Sequence, residues 1–205
     1  MPPGSKRKES PPLPVFRTRV LGVDPAVAGA TGYGIVEIDG SAHRLVRFGA
    51  LKLPLRAPFD ERLREIHGLI ASLLEEFAPD AVAVESVFTA LNMRTALKLA
   101  EMRGVVLLAA AQARIPAHSY SPREVKASVA GFGAASKQQI QKMVGMLLGL
   151  QECPEPADAA DALAIALCHA QMCRAKERFT KATKSNPAIP GSASRARRIP
   201  VCVQP

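Results

Sequence analysis

The sequence predicts an α/β domain, a five-stranded mixed sheet with helices on both faces, and three observations predict it. A short apolar run, Val20-Leu21-Gly22-Val23-Asp24, reads as a strand buried on both faces and ends in a carboxylate. Two more strand patterns follow over short links, which makes an antiparallel meander. The apolar spacing then turns helical before another buried strand, Ala81–Glu85, and a strand reached through a helix runs parallel to the first.

Residues 1–18 carry four prolines in the first twelve positions together with Lys6-Arg7-Lys8, so a disordered basic arm is expected there. The first strand is Arg19–Asp24. A loop of small residues, Pro25 to Gly32, leads to a second strand over Tyr33–Ile38, whose apolar residues alternate. Asp39-Gly40 turns the chain, and Arg44–Leu51 returns as the third. From Phe59 to Phe77 the residues Leu63, Ile66, Leu69, Ile70, Leu73 and Leu74 lie on one face of a helix. After the strand Ala81–Glu85, a long helix spans Asn92 to Ala113 with enough apolar surface for both a sheet and a partner. Pro116–Tyr120 is the last strand. Ser121-Pro122-Arg123-Glu124 has the residues of a capped helix start, and that helix runs to about Ala130, where Gly131-Phe132-Gly133 breaks it. Ser136 caps a helix to Leu150, and a final helix begins near Asp158 and ends near Lys176. The folded body is therefore 19–177, and the basic, Pro-containing residues 178–205 are expected to be a disordered tail.

Composition narrows the function classes. No run approaches the ~20 apolar residues of a membrane span, and the N-terminus has no apolar core of a secretory signal. A soluble, cytoplasmic protein is expected. Four cysteines without CxxC spacing fit a reducing compartment. Cys168, His169 and Cys173 share one helix, but their spacing matches no common zinc site, and core or surface thiols are the plainer reading. The net charge of +9 is carried mostly by the two tails. Within the body, residues 86–150 hold eight Lys/Arg against two Glu, a basic stretch between acidic ones. That suits a polyanion held beside metal-binding carboxylates; solvated helix faces would give the same count.

The acids give the chemistry. Asp24 and Glu85 end two strands expected to be parallel, which brings them to one sheet edge. Asp158 and Asp161 are three apart and share a face at the start of the last helix, where they could equally cap it and complement its dipole. Taken together, four carboxylates at one edge repel strongly without cations, and oxygen ligands of this kind select Mg²⁺ or Mn²⁺.

Several stretches, in order, carry a resemblance: Leu21-Gly22-Val23-Asp24-Pro25 with Thr31-Gly32-Tyr33-Gly34, then Val84-Glu85-Ser86-Val87-Phe88, then Ala96-Leu97-Lys98-Leu99 with Arg103-Gly104-Val105, then Ala157-Asp158-Ala159-Ala160-Asp161-Ala162. On these residues the chain resembles the RuvC family of crossover junction endodeoxyribonucleases, within the RNase H-like superfamily, from about Val20 to Cys173. The resemblance implies that Asp24, Glu85, Asp158 and Asp161 are the catalytic, metal-binding acids. It also implies that Phe88 contacts unstacked bases and that Lys126 and Lys137 contact DNA. The implied reaction is two-metal phosphodiester hydrolysis with two Mg²⁺ per site, Mn²⁺ being a substitute. A homodimer would nick opposed strands of a four-way junction symmetrically, leaving 5′-phosphate and 3′-hydroxyl ends, in partnership with the RuvA–RuvB branch-migration complex. The helix Asn92 to Ala113 is the candidate dimer face. The chain departs from the family at Ala26, where a Gly is usual, and in one extra residue before Thr31. Two other readings are a junction-binding protein without catalysis and an RNase H-like nuclease for structured RNA.

Overall fold

Asp24 and Glu85 owe their meeting to strand order, and the strand order follows from the connections. The computed structural model describes residues 17–54, 56–86 and 92–185. Strands β1 (Thr18–Asp24), β2 (Ala30–Asp39) and β3 (Ala42–Lys52) form the meander. Helix α1 (Phe59–Phe77) crosses to β4 (Ala81–Glu85), and α2 (Met93–Gln112) to β5 (Ala117–Tyr120). Then come α3 (Pro122–Ala130), α4 (Lys137–Leu147) and α5 (Ala157–Ser185). The sheet is ordered β3-β2-β1-β4-β5, antiparallel across β3, β2 and β1 and parallel across β1, β4 and β5. Short turns enforce the first pairings, and helical crossovers enforce the second.

Each sheet face covers its own core. Alternate side chains of β1 and β4 divide between them: Leu21, Val23, Val82 and Val84 pack with α1 and α2, whereas Val20 and Ala83 pack with α3, α4 and α5. Asp24 therefore projects to the α5 side, since it follows Val20 by an even number of residues.

Helix α5 seats on this sheet through glycine. A Cβ on Gly22 would run into the Ala162 carbonyl, and one on Gly32 into the Asp158 carbonyl. A Cβ on Gly34 would lie 2.6 Å from Leu163 Cδ2. With no side chains there, the α5 backbone lies directly on β1 and β2, and its Ala159, Ala160, Ala162 and Leu163 are fully buried.

Some boundaries differ from expectation. Helix α4 stops at Leu147, because Leu148 is its cap and Gly149 turns at φ +65°. Helix α5 passes Lys176 and continues to Ser185, so the expected unstructured tail does not begin at 178; Ala, Lys, Glu and Arg favour helix there, and the next proline is Pro187. Met172 closes the first compact unit, and Cys173 onward belongs to a second. The expected arm lies outside the described residues apart from Arg17 and Thr18, as do 186–205 and Phe88.

Candidate active site

Val20 pairs with Ala81 and Val23 with Val84 in parallel register, so Asp24 and Glu85 are the next residues out on neighbouring strands. On the other side of Asp24, β2 contributes Gly32, against which the first turn of α5 rests. The same seating that buries α5 brings its acids to the strand ends. Asp24, Glu85 and Asp161 line one open cavity of about 230 Å³, walled by Pro122, Val125 and Lys126 of α3 and by Lys137 and Ile140 of α4. Asp158 is not in the lining but is close enough to act on Asp24 through its charge.

The crowding has an electrostatic signature. Burial is the main cause that pushes the Asp24 carboxyl up to about 8, followed by the charges of Glu85, Asp161 and Asp158, with Lys137 opposing. Glu85 is raised as well, by burial and then by Asp161, while Lys126 pulls the other way. Lys137 Nζ donates a 2.6 Å hydrogen bond to Asp161 Oδ2, and that bond, with the other acids, holds its ammonium charged. Like charges packed this tightly call for more positive charge than two lysines provide.

Hard carboxylate oxygens crowded at one partly buried site fit a divalent cation such as Mg²⁺ in type and in need of charge. Among the described residues, no three acidic, His or Cys side chains stand in metal-holding geometry. Three acids share the cavity while Lys137 neutralises one of them.

The other predicted residues sort plainly. Lys126 is half-buried in the cavity wall and Lys137 is exposed at its rim, both within the acidic site itself. Phe88 lies outside the described residues. Cys168 and His169 belong to the core: burial pushes the Cys168 thiol up to about 11, and His169 Nδ1 lies 2.7 Å from the Tyr120 hydroxyl.

Arg62 was not among the residues singled out. It is buried, and its Nη2 donates a 2.7 Å hydrogen bond to the carbonyl of Val27, in the loop that leaves Asp24. Its Nε is buried without a hydrogen-bond partner. A signal was there to read, because Arg62 stands four residues before Ile66 on the buried stripe of α1. Ala26 keeps a negative φ, so no glycine is required there.

No described helix is long and apolar enough to cross a membrane. The family model described as crossover junction endodeoxyribonuclease RuvC matches residues 20–169, which contain all four acids and both lysines. The crossover junction endodeoxyribonuclease RuvC of Chloroflexus aggregans is 48% identical over 161 residues, covering 78% of this chain and 98% of that protein. The solved structure of Thermus thermophilus RuvC is similar with a TM-score of 0.72 at 38% identity, covering 78% of this chain and 97% of its own. T. thermophilus RuvC in complex with its Holliday junction substrate is similar with a TM-score of 0.70 at 36% identity, covering 77% and 96%. On the motif order, the acid-lined cavity at the strand ends and these matches, the chain belongs to the RuvC family of crossover junction endodeoxyribonucleases.

Proposed function

We propose that this chain resolves Holliday junctions by metal-dependent hydrolysis of one phosphodiester on each of two opposed strands. The observation that carries the proposal is the joint placement of Asp24, Glu85 and Asp161 in one cavity that Lys126 and Lys137 help to line. Asp24, Glu85, Asp158 and Asp161 would hold the ions, two Mg²⁺ or the substituting Mn²⁺. When bound, Mg²⁺ supplies Lewis-acid activation of the attacking water and of the scissile phosphate.

The chain's own residues supply orientation and charge. Asp24 leaves the central strand between Glu85 on one side and the α5 acids on the other, and it would hold metal together with both groups. Lys126 and Lys137 attract the phosphate that the acids alone would repel. Lys137 is held by Asp161, one of the acids that would hold metal, so its ammonium stands at the place where a DNA phosphate would meet the site. The products are 5′-phosphate and 3′-hydroxyl ends that a ligase can join.

Paired nicks require two sites. Helix α2 buries Met102, Val106, Ala109 and Ala110 but leaves Met93, Leu97, Ala100, Gly104, Leu108 and Ala111 exposed. Their spacing of three and four residues is one continuous helical stripe with small residues at its centre, which suits close packing against the same helix of a second copy. The RuvA–RuvB branch-migration complex is the proposed partner for delivery of the junction.

The test is cleavage of a synthetic mobile junction in Mg²⁺, comparing the intact chain with Asp24→Asn and scoring both opposed strands. Symmetric paired nicks that the substitution abolishes while binding persists support the proposal. Binding without nicks by the intact chain favours the non-catalytic reading, and cutting of structured RNA in preference to the junction favours the RNA nuclease.

A further inference from the structure

Among the described residues Phe132 is the one Phe or Tyr that stands largely in solvent, at 49% exposure. It lies in Gly131-Phe132-Gly133, the link between α3 and α4, and each of those helices sends one lysine to the acidic cavity: Lys126 and Lys137. The link is pinned at both ends. Gly131 ends α3 in the left-handed region at φ +85°, its N–H donating to the Ala127 carbonyl. Gly133 lies so near the stem of Arg123 that a Cβ there would sit 2.7 Å from its Cγ. Ala135 is buried, and Ser136 then opens α4 with a reciprocal capping box. The ring is thus presented outward from fixed points, with Arg123, Lys126 and Lys137 on the same helix pair.

An exposed aromatic ring on a link between two cation-bearing helices is the composition of a surface that stacks bases while the charges hold phosphates. Stacking on a ring needs an open base face. In duplex DNA neighbouring pairs cover both faces, whereas at a strand exchange point some bases lie unstacked. We propose that Phe132 stacks on an unpaired base of the strand whose phosphate enters the acidic cavity, and so helps to set which phosphate is cut. This assignment rests on the junction-cutting function proposed above.

The chain contains no Trp, so Phe132→Trp places a single fluorescent indole at the loop. In an Asp24→Asn background, which leaves the DNA uncut, a four-way junction and a linear duplex are titrated in turn, with binding followed separately by the anisotropy of a dye on the DNA. The junction is expected to quench the indole roughly twofold and the duplex to leave it nearly unchanged, while Phe132→Ala weakens junction binding about tenfold and Phe132→Tyr keeps it, in line with the usual strength of base–aromatic stacking. Junction binding with unchanged indole emission overturns the assignment, and so does equal quenching by the duplex. Failure of the junction to bind at all overturns the junction reading together with it.

Discussion

The ammonium of Lys137 is bound to the carboxylate of Asp161 at 2.6 Å, so a cation proposed to meet DNA and an acid proposed to meet metal hold one another beforehand. The pair is partly open to solvent, with the lysine side chain 57% exposed, and contributes at most ~1 kcal/mol to folding. Its effect is on the site. Replacing Lys137 by Met is expected to leave thermal stability within about 2–4 °C. Cutting of the junction falls at least about tenfold, as when a preorganised charge is removed from a reaction centre. The slope of log binding against log salt also drops by about one. Salt-dependent anisotropy and single-turnover cleavage measure the two effects separately.

Asp24 gives a pH signature without any DNA. Its folded-state pKa of about 8 lies above the ordinary 3.8, so between these values the folded chain holds a proton that the unfolded chain has released. Stability of the metal-free protein therefore falls as pH rises through that window. Asp24→Asn removes the ionisation and is expected to raise the melting temperature at pH 8 by several degrees, corresponding to at least about 1 kcal/mol, while changing little at pH 4. Added Mg²⁺ should stabilise the intact protein at pH 8 more than the variant. Parallel melting curves across pH would refute this if both proteins kept the same slope.

Glycines under α5 separate space from flexibility. Gly32→Ala and Gly22→Ala each drive a Cβ into helix backbone and are expected to cost about 1–3 kcal/mol or more, with loss of cutting as α5 lifts Asp158 and Asp161 away from Asp24. Gly34→Ala meets Leu163 chiefly at its buried side chain, Cδ2 at 2.6 Å and Cγ at 2.7 Å, and should cost less than Gly32→Ala, whose Cβ would run into a helix carbonyl. Gly68→Ala, in the interior of α1 with open space around it, should stabilise by roughly 0.5–1 kcal/mol. Chemical denaturation of the four variants ranks them.

Arg62 ties α1 to the loop beyond Asp24. Arg62→Met removes both the hydrogen bond to Val27 and a buried charge, two effects of opposite sign, so net stability should change by less than about 1.5 kcal/mol. The freed loop at 25–29 should become a site of limited proteolysis, and cutting should slow because Asp24 is no longer fixed from that side. Unchanged proteolysis with unchanged cleavage would remove Arg62 from any role in positioning.

The fold was largely legible because its elements announce themselves locally. Phe59–Phe77 and Ala81–Glu85 lie where periodicity puts them, and Ser121 and Ser136 cap the helices they were expected to cap. The parallel pairing of β1 with β4 followed from the helix between them, and with it the meeting of Asp24 and Glu85. What local pattern could not supply was contact across the chain. The ion pair of Lys137 with Asp161 spans 24 residues and depends on how α4 leans over α5. Arg62 was hidden by its charge, since a buried arginine on an apolar stripe is recognised only when its carbonyl partner is seen. The end of α5 was missed for the opposite reason: a basic, polar composition suggested disorder, while its individual residues are good helix formers.

The glycine seat beneath α5 has a consequence for how this enzyme can fail. Asp158 and Asp161 ride on a helix whose inner side is part of the hydrophobic interior, and the gap beneath it is set by hydrogen atoms at Gly22 and Gly32. The placement of the two acids thus depends on the packing of the interior. Heat or solvent that loosens the interior should therefore extinguish cutting at the same point, so that loss of activity and loss of structure trace a single curve.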